Sequence, residues 1–169
     1  MPERLELFCE VRQAEACPTG KRPEKSKMKI DPKPGNNCFG CGGGNARGMQ
    51  LSFEQDDERQ RIVGRFRLGE EYQGGSGFLH GGIIALLLDE VMSKASRFDG
   101  QSAVTADLRV EYKRPIRVNT DIVVEGFVTR REGRQLYHEG EIRNAAGDLL
   151  ARGEGRFVII DRKKYAAQP

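Results

Sequence analysis

The sequence predicts an α+β domain in which an antiparallel sheet wraps around one long central helix. The longest apolar run, at residues 81–88, is too long and too rich in leucine and alanine for a strand, and helix-compatible residues continue it to about residue 98. We therefore predict one helix over residues 82–97, buried on most sides because its first half is apolar almost all round. Alternating apolar and polar stretches flank this helix, and the short turns between them imply antiparallel neighbours. One buried helix among such strands predicts a sheet curled around it.

Alternation of apolar and polar residues identifies the strands. Two short segments precede the helix, at residues 49–53 and 62–68. Four longer segments follow it, at residues 103–113, 120–131, 134–143 and 149–160. A glycine-rich loop at residues 73–77 leads into the helix, so we expect this loop to lie against the helix start.

The chain divides near residue 36. Residues 1–35 form a predicted N-terminal extension, with a short helix at residues 3–16. Residues 17–35 hold four prolines and six lysines or arginines and almost nothing to pack, which is typical of a linker or a disordered arm. The folded domain is expected at residues 36–162, followed by a tail at residues 163–169.

Composition limits the classes of partner. The chain has 169 residues, a net charge of +3 and no tryptophan, and its basic residues are interleaved with acidic ones. Nucleic-acid binding would usually need a clustered basic face with aromatic residues, so we predict no nucleic-acid partner. No apolar run approaches the roughly 18–20 residues that cross a bilayer, and the N-terminus has no signal-peptide pattern. We therefore expect a cytoplasmic protein without a membrane partner, whose four cysteines are thiols or metal ligands.

Two carboxylates follow the apolar part of the helix, where an unpaired charge would be costly to bury. Asp89 lies seven residues after Gly82, about two turns, and so on the face of the helix start that meets the glycine loop. For Glu90 we predict that the helix reaches the surface at this point and that the acid is solvated. Asp89 is therefore the candidate for chemistry.

Two consecutive glycines, Gly81 and Gly82, stand at the helix start. The first N–H groups of a helix have no partner inside it, and the absence of a Cβ lets a substrate carbonyl approach them. Such a turn can serve as an oxyanion hole. Tight packing of the helix against the sheet would explain the same glycines equally well.

The spacing of these groups has a consequence for assembly. Gly81 and Asp89 are about 12 Å apart along the helix axis, too far for both to act on one carbonyl. A two-fold dimer, in which one subunit gives the amide and the other the carboxylate, would bring them together. We therefore predict a homodimer, or a homotetramer built from two dimers.

The stretch GFLHGGIIALLLDEVM resembles the HGG-x6-D motif of hotdog-fold thioesterases of the PaaI and THEM type. EYQG at residues 71–74, VTAD at 104–107, YKRP at 112–115 and CFGCG at 38–42 are also similar to that family. The resemblance covers roughly residues 36–160. It implies a hotdog fold and hydrolysis of an acyl-CoA substrate without a metal or a bound cofactor.

The resemblance also implies roles for individual residues. Asp89 would be the catalytic carboxylate, either general base or nucleophile, and Gly81 would polarise the thioester carbonyl. Thr105 would help to hold the attacking water, and His80 would orient the loop. The sequence departs from the family at Gly74, where an asparagine is found. The candidates for substrate binding are Gln73 in place of that asparagine, Gly82, and Arg114 among the basic residues that could meet the phosphates of CoA.

Three other interpretations remain open or are set aside. Cys38 and Cys41 have the spacing of a metal-binding turn, but two further ligands are missing, so a metal-free turn is expected. A hydratase would need a histidine placed as base, and the position of His80 before the helix argues against this. A non-catalytic acyl-CoA-binding or regulatory domain would have no need of the acid at Asp89.

Overall fold

The computed structural model describes residues 27–161. It contains one α-helix, α1 (Gly81–Ala95), and short 3-10 turns at Glu70–Tyr72 and Ser96–Asp99. The strands are β1 (Met28–Ile30), β2 (Phe53–Asp56), β3 (Arg61–Arg67), β4 (Ala103–Tyr112), β5 (Asp121–Glu132), β6 (Gln135–Asn144) and β7 (Leu149–Ile159). The predicted helix at residues 3–16, most of the predicted linker and the C-terminal tail lie outside the described residues.

The seven strands form one sheet in the order β1-β2-β3-β5-β6-β7-β4, and each neighbouring pair is antiparallel. The four strands after the helix agree with the predicted segments to within one or two residues at each end. The predicted α+β architecture, with an antiparallel sheet around one long helix, is confirmed. Strand β4 ends the sheet on one side, so one of its edges has no neighbouring strand among the described residues.

Helix α1 packs against strands β3 to β7 of the sheet. Its buried face includes Leu87, Leu88, Val91 and Met92, each of which is fully buried. The closest approach is to β5, where a Cβ added at Gly126 would lie 2.7 Å from the carbonyl oxygen of Val91. A side chain at that position would have to push helix and sheet apart, so glycine in β5 sets how closely the helix can pack.

Two predicted boundaries differ from the structure. Strand β1 lies inside the predicted linker and pairs with β2, Met28 opposite Gln55, so the sheet begins before residue 36. The predicted strand at residues 49–53 is a loop until Phe53. The N–H groups of Met49 and Leu51 donate to the carbonyls of residues 39 and 40, at 2.8 and 2.9 Å, instead of joining the sheet ladder. No helix among residues 27–161 is long and apolar enough to span a membrane.

Candidate functional site

Asp89 and Thr105 meet on the helix face that the sequence indicated. Asp89 is half-buried on α1, and its Oδ1 accepts a hydrogen bond of 2.7 Å from the Thr105 hydroxyl on β4. Burial raises the pKa of the Asp89 carboxyl, the Thr105 hydrogen bond acts in the opposite direction, and the nearby Glu90 charge raises it further. The result is a carboxylate held in one orientation and more basic than an ordinary aspartate.

The start of α1 leaves one backbone donor free. The N–H of Gly82 donates to Nδ1 of His80 at 2.9 Å, so His80 is the N-cap. The N–H groups of Ile83 and Ile84 both donate to the His80 carbonyl, at 2.9 and 3.1 Å. The N–H of Gly81 has no acceptor among the described residues. Of the two glycines, Gly81 is therefore the one whose amide is open to a ligand, and Gly82 could contact a substrate only through its other atoms.

Packing does not explain the glycine at position 81. The atoms nearest to a Cβ added there belong to the Tyr112 side chain, the closest being its hydroxyl oxygen at an ordinary 3.5 Å. A Cβ added at Gly82 would lie 3.0 Å from Nδ1 of the His80 ring, a tighter contact. The nearest contacts at both positions are with side chains, whereas a Cβ at Gly126 would collide with the backbone of Val91 across the helix–sheet contact. Close approach of a ligand, the other explanation that the sequence offered for Gly81, stays a prediction.

Tyr112 is a residue that sequence reasoning missed. Its hydroxyl donates to the Gly81 carbonyl at 3.0 Å, although the side chain is 55% exposed. The peptide between Gly81 and Gly82 is thus held at both ends, its oxygen by Tyr112 and its N–H by His80. This peptide fixes the orientation of the adjoining Gly81 N–H. In the sequence, Tyr112 fits the alternation of a strand, and only the YKRP resemblance singles out that segment.

The glycine loop is ordered by its own hydrogen bonds. The side-chain oxygen of Gln73 accepts from the N–H of Gly77 at 3.2 Å, and the N–H of His80 donates to the Tyr72 carbonyl at 2.9 Å. A Cβ at Gly74 would lie 3.0 Å from the Cα of His80, tighter than usual contact. An asparagine at position 74 would therefore crowd His80, which is a physical reason for glycine there. In this structure Gln73 stabilises the loop.

Arg114 is exposed and pairs with Asp148 in the turn between β6 and β7, at 3.1 Å. Its side chain has no described contact with Asp89 or with residues 80–82. A role in binding phosphate would have to compete with this exposed ion pair, which contributes little to stability. Arg114 remains a prediction.

The prediction for Glu90 was wrong, because this side chain is about nine-tenths buried. Its Oε2 accepts from the Lys94 ammonium one turn along the helix, and the Cys38 thiol donates to its Oε1 at 3.4 Å. Burial by itself would raise the pKa of Glu90, but the Lys94 charge and hydrogen bond outweigh burial and lower it. Burial and the Glu90 carboxylate raise the pKa of the Cys41 thiol to about 11. The loop at residues 38–41 lies over the Glu90 carboxylate. The pattern of residues in the helix alone does not reveal this contact with a distant loop.

Comparisons with known proteins match this chain to thioesterases. Residues 76–151 match a family model described as the thioesterase superfamily. Acyl-coenzyme A thioesterase THEM4 of Rattus norvegicus is 33% identical over 118 residues, which are 69% of this chain and 51% of that protein. The chain spans about half the length of the curated relatives that it matches first.

Solved structures show the same fold. A thioesterase superfamily protein superimposes with a TM-score of 0.67 at 32% identity, covering 72% of this chain and 60% of the other. The E. coli PaaI protein superimposes with a TM-score of 0.57 at 20% identity, covering 60% of this chain and 74% of that one, a likeness in fold alone. Residues 76–151, which the family model matches, contain Gly81, Asp89 and Thr105.

Proposed function

This chain belongs to the hotdog-fold thioesterase superfamily, and on that premise we propose that it hydrolyses an acyl-CoA thioester to the free acid and CoA. The observation that carries the proposal is the half-buried Asp89, oriented by Thr105, on the same helix as the open Gly81 amide. A basic carboxylate and an unpaired backbone donor are the two groups that thioester hydrolysis needs.

In the reaction, Asp89 takes a proton from water while the water oxygen bonds to the thioester carbon. The carbonyl oxygen becomes an oxyanion, which the Gly81 N–H stabilises. The carbon–sulfur bond then breaks, and the CoA sulfur leaves with a proton that the Asp89 carboxyl can return. Alternatively, Asp89 attacks the carbon itself, and water hydrolyses the resulting anhydride. Both routes use the same two groups.

The proposal includes a homodimer or a homotetramer of dimers. Gly81 and Asp89 are eight positions apart on the helix, about 12 Å, so we expect two subunits to share each site. Strand β4 is the surface that suits a second copy, since its outer edge has no neighbouring strand among residues 27–161 and six of its ten residues are exposed. A cytoplasmic location is also proposed, because the free thiols of Cys38 and Cys41 suit a reducing compartment.

The direct test is release of free thiol from a panel of acyl-CoA substrates with short, medium, long and aromatic acyl groups. We expect turnover of at least one class well above the rate without protein, and the panel ranks the acyl groups. Binding of acyl-CoA without any release of thiol across the panel would contradict the proposal and favour a binding domain.

The pH dependence of the reaction should follow Asp89. The carboxylate is the reactive form, and because its pKa is raised, the protonated form persists to higher pH than for an ordinary aspartate. The rate should therefore fall as the pH drops through a midpoint above the usual aspartate value.

Thr105→Val removes a hydrogen bond that lowers this pKa, so the midpoint of kcat/KM should move to higher pH. Thr129→Val, which loses a strand threonine bonded to the Tyr137 carbonyl, is the matched control and should leave the midpoint in place.

Gly81→Ala should fold normally and turn over poorly. The added Cβ meets only ordinary contacts, but it occupies the space through which the carbonyl reaches the amide. A displacement on the order of 1 Å can cost about 10²-fold in rate. Gly75→Ala, where a Cβ meets nothing within 4 Å, is the matched control and should keep the activity. Thermal unfolding and kcat measured together would show whether rate is lost without loss of stability; an unchanged kcat in Gly81→Ala would argue against the amide hole.

A further inference from the structure

A second cluster of reactive side chains lies where the loop at residues 38–41 crosses α1. One ligand atom each from Cys38, Cys41 and Glu90 lies within 4.8 Å of the others. The loop is tied down by its own backbone, since the N–H of Gly42 donates to the Cys38 carbonyl at 3.0 Å. Gly40 allows the close approach, because a Cβ at this position would collide with the Glu90 carboxylate. Two thiols are thus held against a buried acid.

The two oxygens of Glu90 have different neighbours. Oε2 accepts from Lys94 at 2.5 Å, and Oε1 faces the Cys38 sulfur at 3.4 Å. Lys94 therefore orients the carboxylate from behind and leaves Oε1 directed at the thiols. A ligand held from the far side by a second residue is the usual arrangement in metal sites.

We propose that Cys38, Cys41 and Glu90 bind a zinc ion. With zinc–sulfur bonds of about 2.3 Å, tetrahedral coordination places two sulfurs about 3.8 Å apart. The separations here, up to 4.8 Å, exceed this by about 1 Å, which side-chain rotation can supply. Two cysteines alone indicate a metal-free turn, and the buried Glu90 is the third ligand that the sequence pattern does not reveal.

Charge balance favours a divalent ion. On binding, both thiols release their protons to solvent, so two thiolates and one carboxylate contribute three negative charges. Zn²⁺ and the Lys94 ammonium contribute three positive charges, and the site is neutral. Without metal, the Glu90–Lys94 ion pair by itself carries no net charge. Neither state buries a net charge, which would be costly.

The donor set selects the metal. Two thiolates are soft ligands that suit zinc, whereas calcium and magnesium prefer oxygen donors. Cys38 is exposed and gives an ion access, and Cys41 lines a cavity of about 510 Å³ together with Asn36 and Lys94. A water molecule can complete the tetrahedron from that side. The Asn36 amide lies 3.9 Å from the Cys41 sulfur, where it can support the thiolate.

The test uses the full chain, freed of metal by a chelator under reducing conditions and without a histidine tag. Addition of zinc should give about one ion per chain by equilibrium dialysis with metal analysis and should raise Tm. Cobalt(II) in place of zinc should give a sulfur-to-cobalt charge-transfer band and the strong visible absorption of a tetrahedral ion. Less than about a tenth of an ion per chain, or a cobalt spectrum without the sulfur band, would overturn the proposal. Both measurements use the unaltered chain, so they do not depend on whether any variant folds.

Variants assign the ligands. Cys38→Ser, Cys41→Ser and Glu90→Gln should each weaken zinc affinity by about 100-fold or more, since the loss of a supporting contact alone costs 10–100-fold. A double variant, Cys9→Ser with Cys17→Ser, is the matched control and should keep one zinc per chain. Asp89→Asn should also keep the ion, which separates this site from the hydrolytic one. Unchanged affinity in Cys38→Ser, or loss of zinc in the double control, would show that the ligands are wrong.

Discussion

Replacing Asp89 with asparagine should lower kcat for acyl-CoA hydrolysis by about 10²–10⁴-fold, the usual contribution of a positioned general base. Asparagine keeps the shape of the side chain, and its oxygen can still accept the hydrogen bond from Thr105. It cannot take a proton from water or attack the thioester carbon. Because the pKa of Asp89 is raised by burial, removing the charge should cost no stability at neutral pH, and Tm should not fall.

The matched control is Asp121→Asn, which removes an exposed carboxylate at the start of β5, paired with Arg67 at 3.7 Å. It should turn over like the unaltered protein, and both variants should bind acyl-CoA with similar affinity. Thiol release and ligand binding measured on the same preparations separate chemistry from binding. Activity above about a tenth of the original in Asp89→Asn would mean that another group activates the water.

Local sequence patterns were enough to predict the central helix and the antiparallel strands that follow it. The run that ends at Asp89 identifies the central helix, because an apolar surface on most sides must be covered by the sheet. The alternation in β4 to β7 predicts strands whose short turns leave only antiparallel pairing. These features depend on neighbours in the chain, which is why a single sequence contains them.

Contacts between distant segments could not be predicted in the same way. Glu90 is buried because a loop 52 residues earlier in the chain lies over it, and no periodicity in α1 records that loop. Strand β1 forms because its backbone pairs with the edge of β2, although the residues of β1 have the composition of a linker. The family resemblance gave Thr105 a role in holding the attacking water, but neither its hydrogen bond to Asp89 nor that of Tyr112 to Gly81 was predicted.

Adding charge to the open edge of β4 should separate the subunits and abolish activity. Val104 and Ala106 are exposed on β4, and lysines on an edge strand oppose pairing with another copy. The variant Val104→Lys with Ala106→Lys should sediment as a monomer and lose about 10²-fold or more in kcat, because each monomer keeps its carboxylate but lacks an amide donor within reach. Ala145→Lys with Ala146→Lys, in the exposed turn between β6 and β7, adds the same charge and should stay dimeric and active. A monomer with full activity would refute the shared site.

Mixing two inactive variants tests the sharing directly. Asp89→Asn lacks the carboxylate and Gly81→Ala obstructs the amide, so homodimers of either variant have no intact site. If each site takes one group from each subunit, a heterodimer contains one site with both defects and one with neither. Co-expression in equal amounts makes half of the dimers heterodimers, and about a quarter of all sites should then work. Recovery to about a quarter of the original kcat would show that the helix of one subunit supplies the amide and that of the other the carboxylate. Activity that stays at the level of the separate variants would place both groups on one chain, and the 12 Å between them would then have to close by bending of α1.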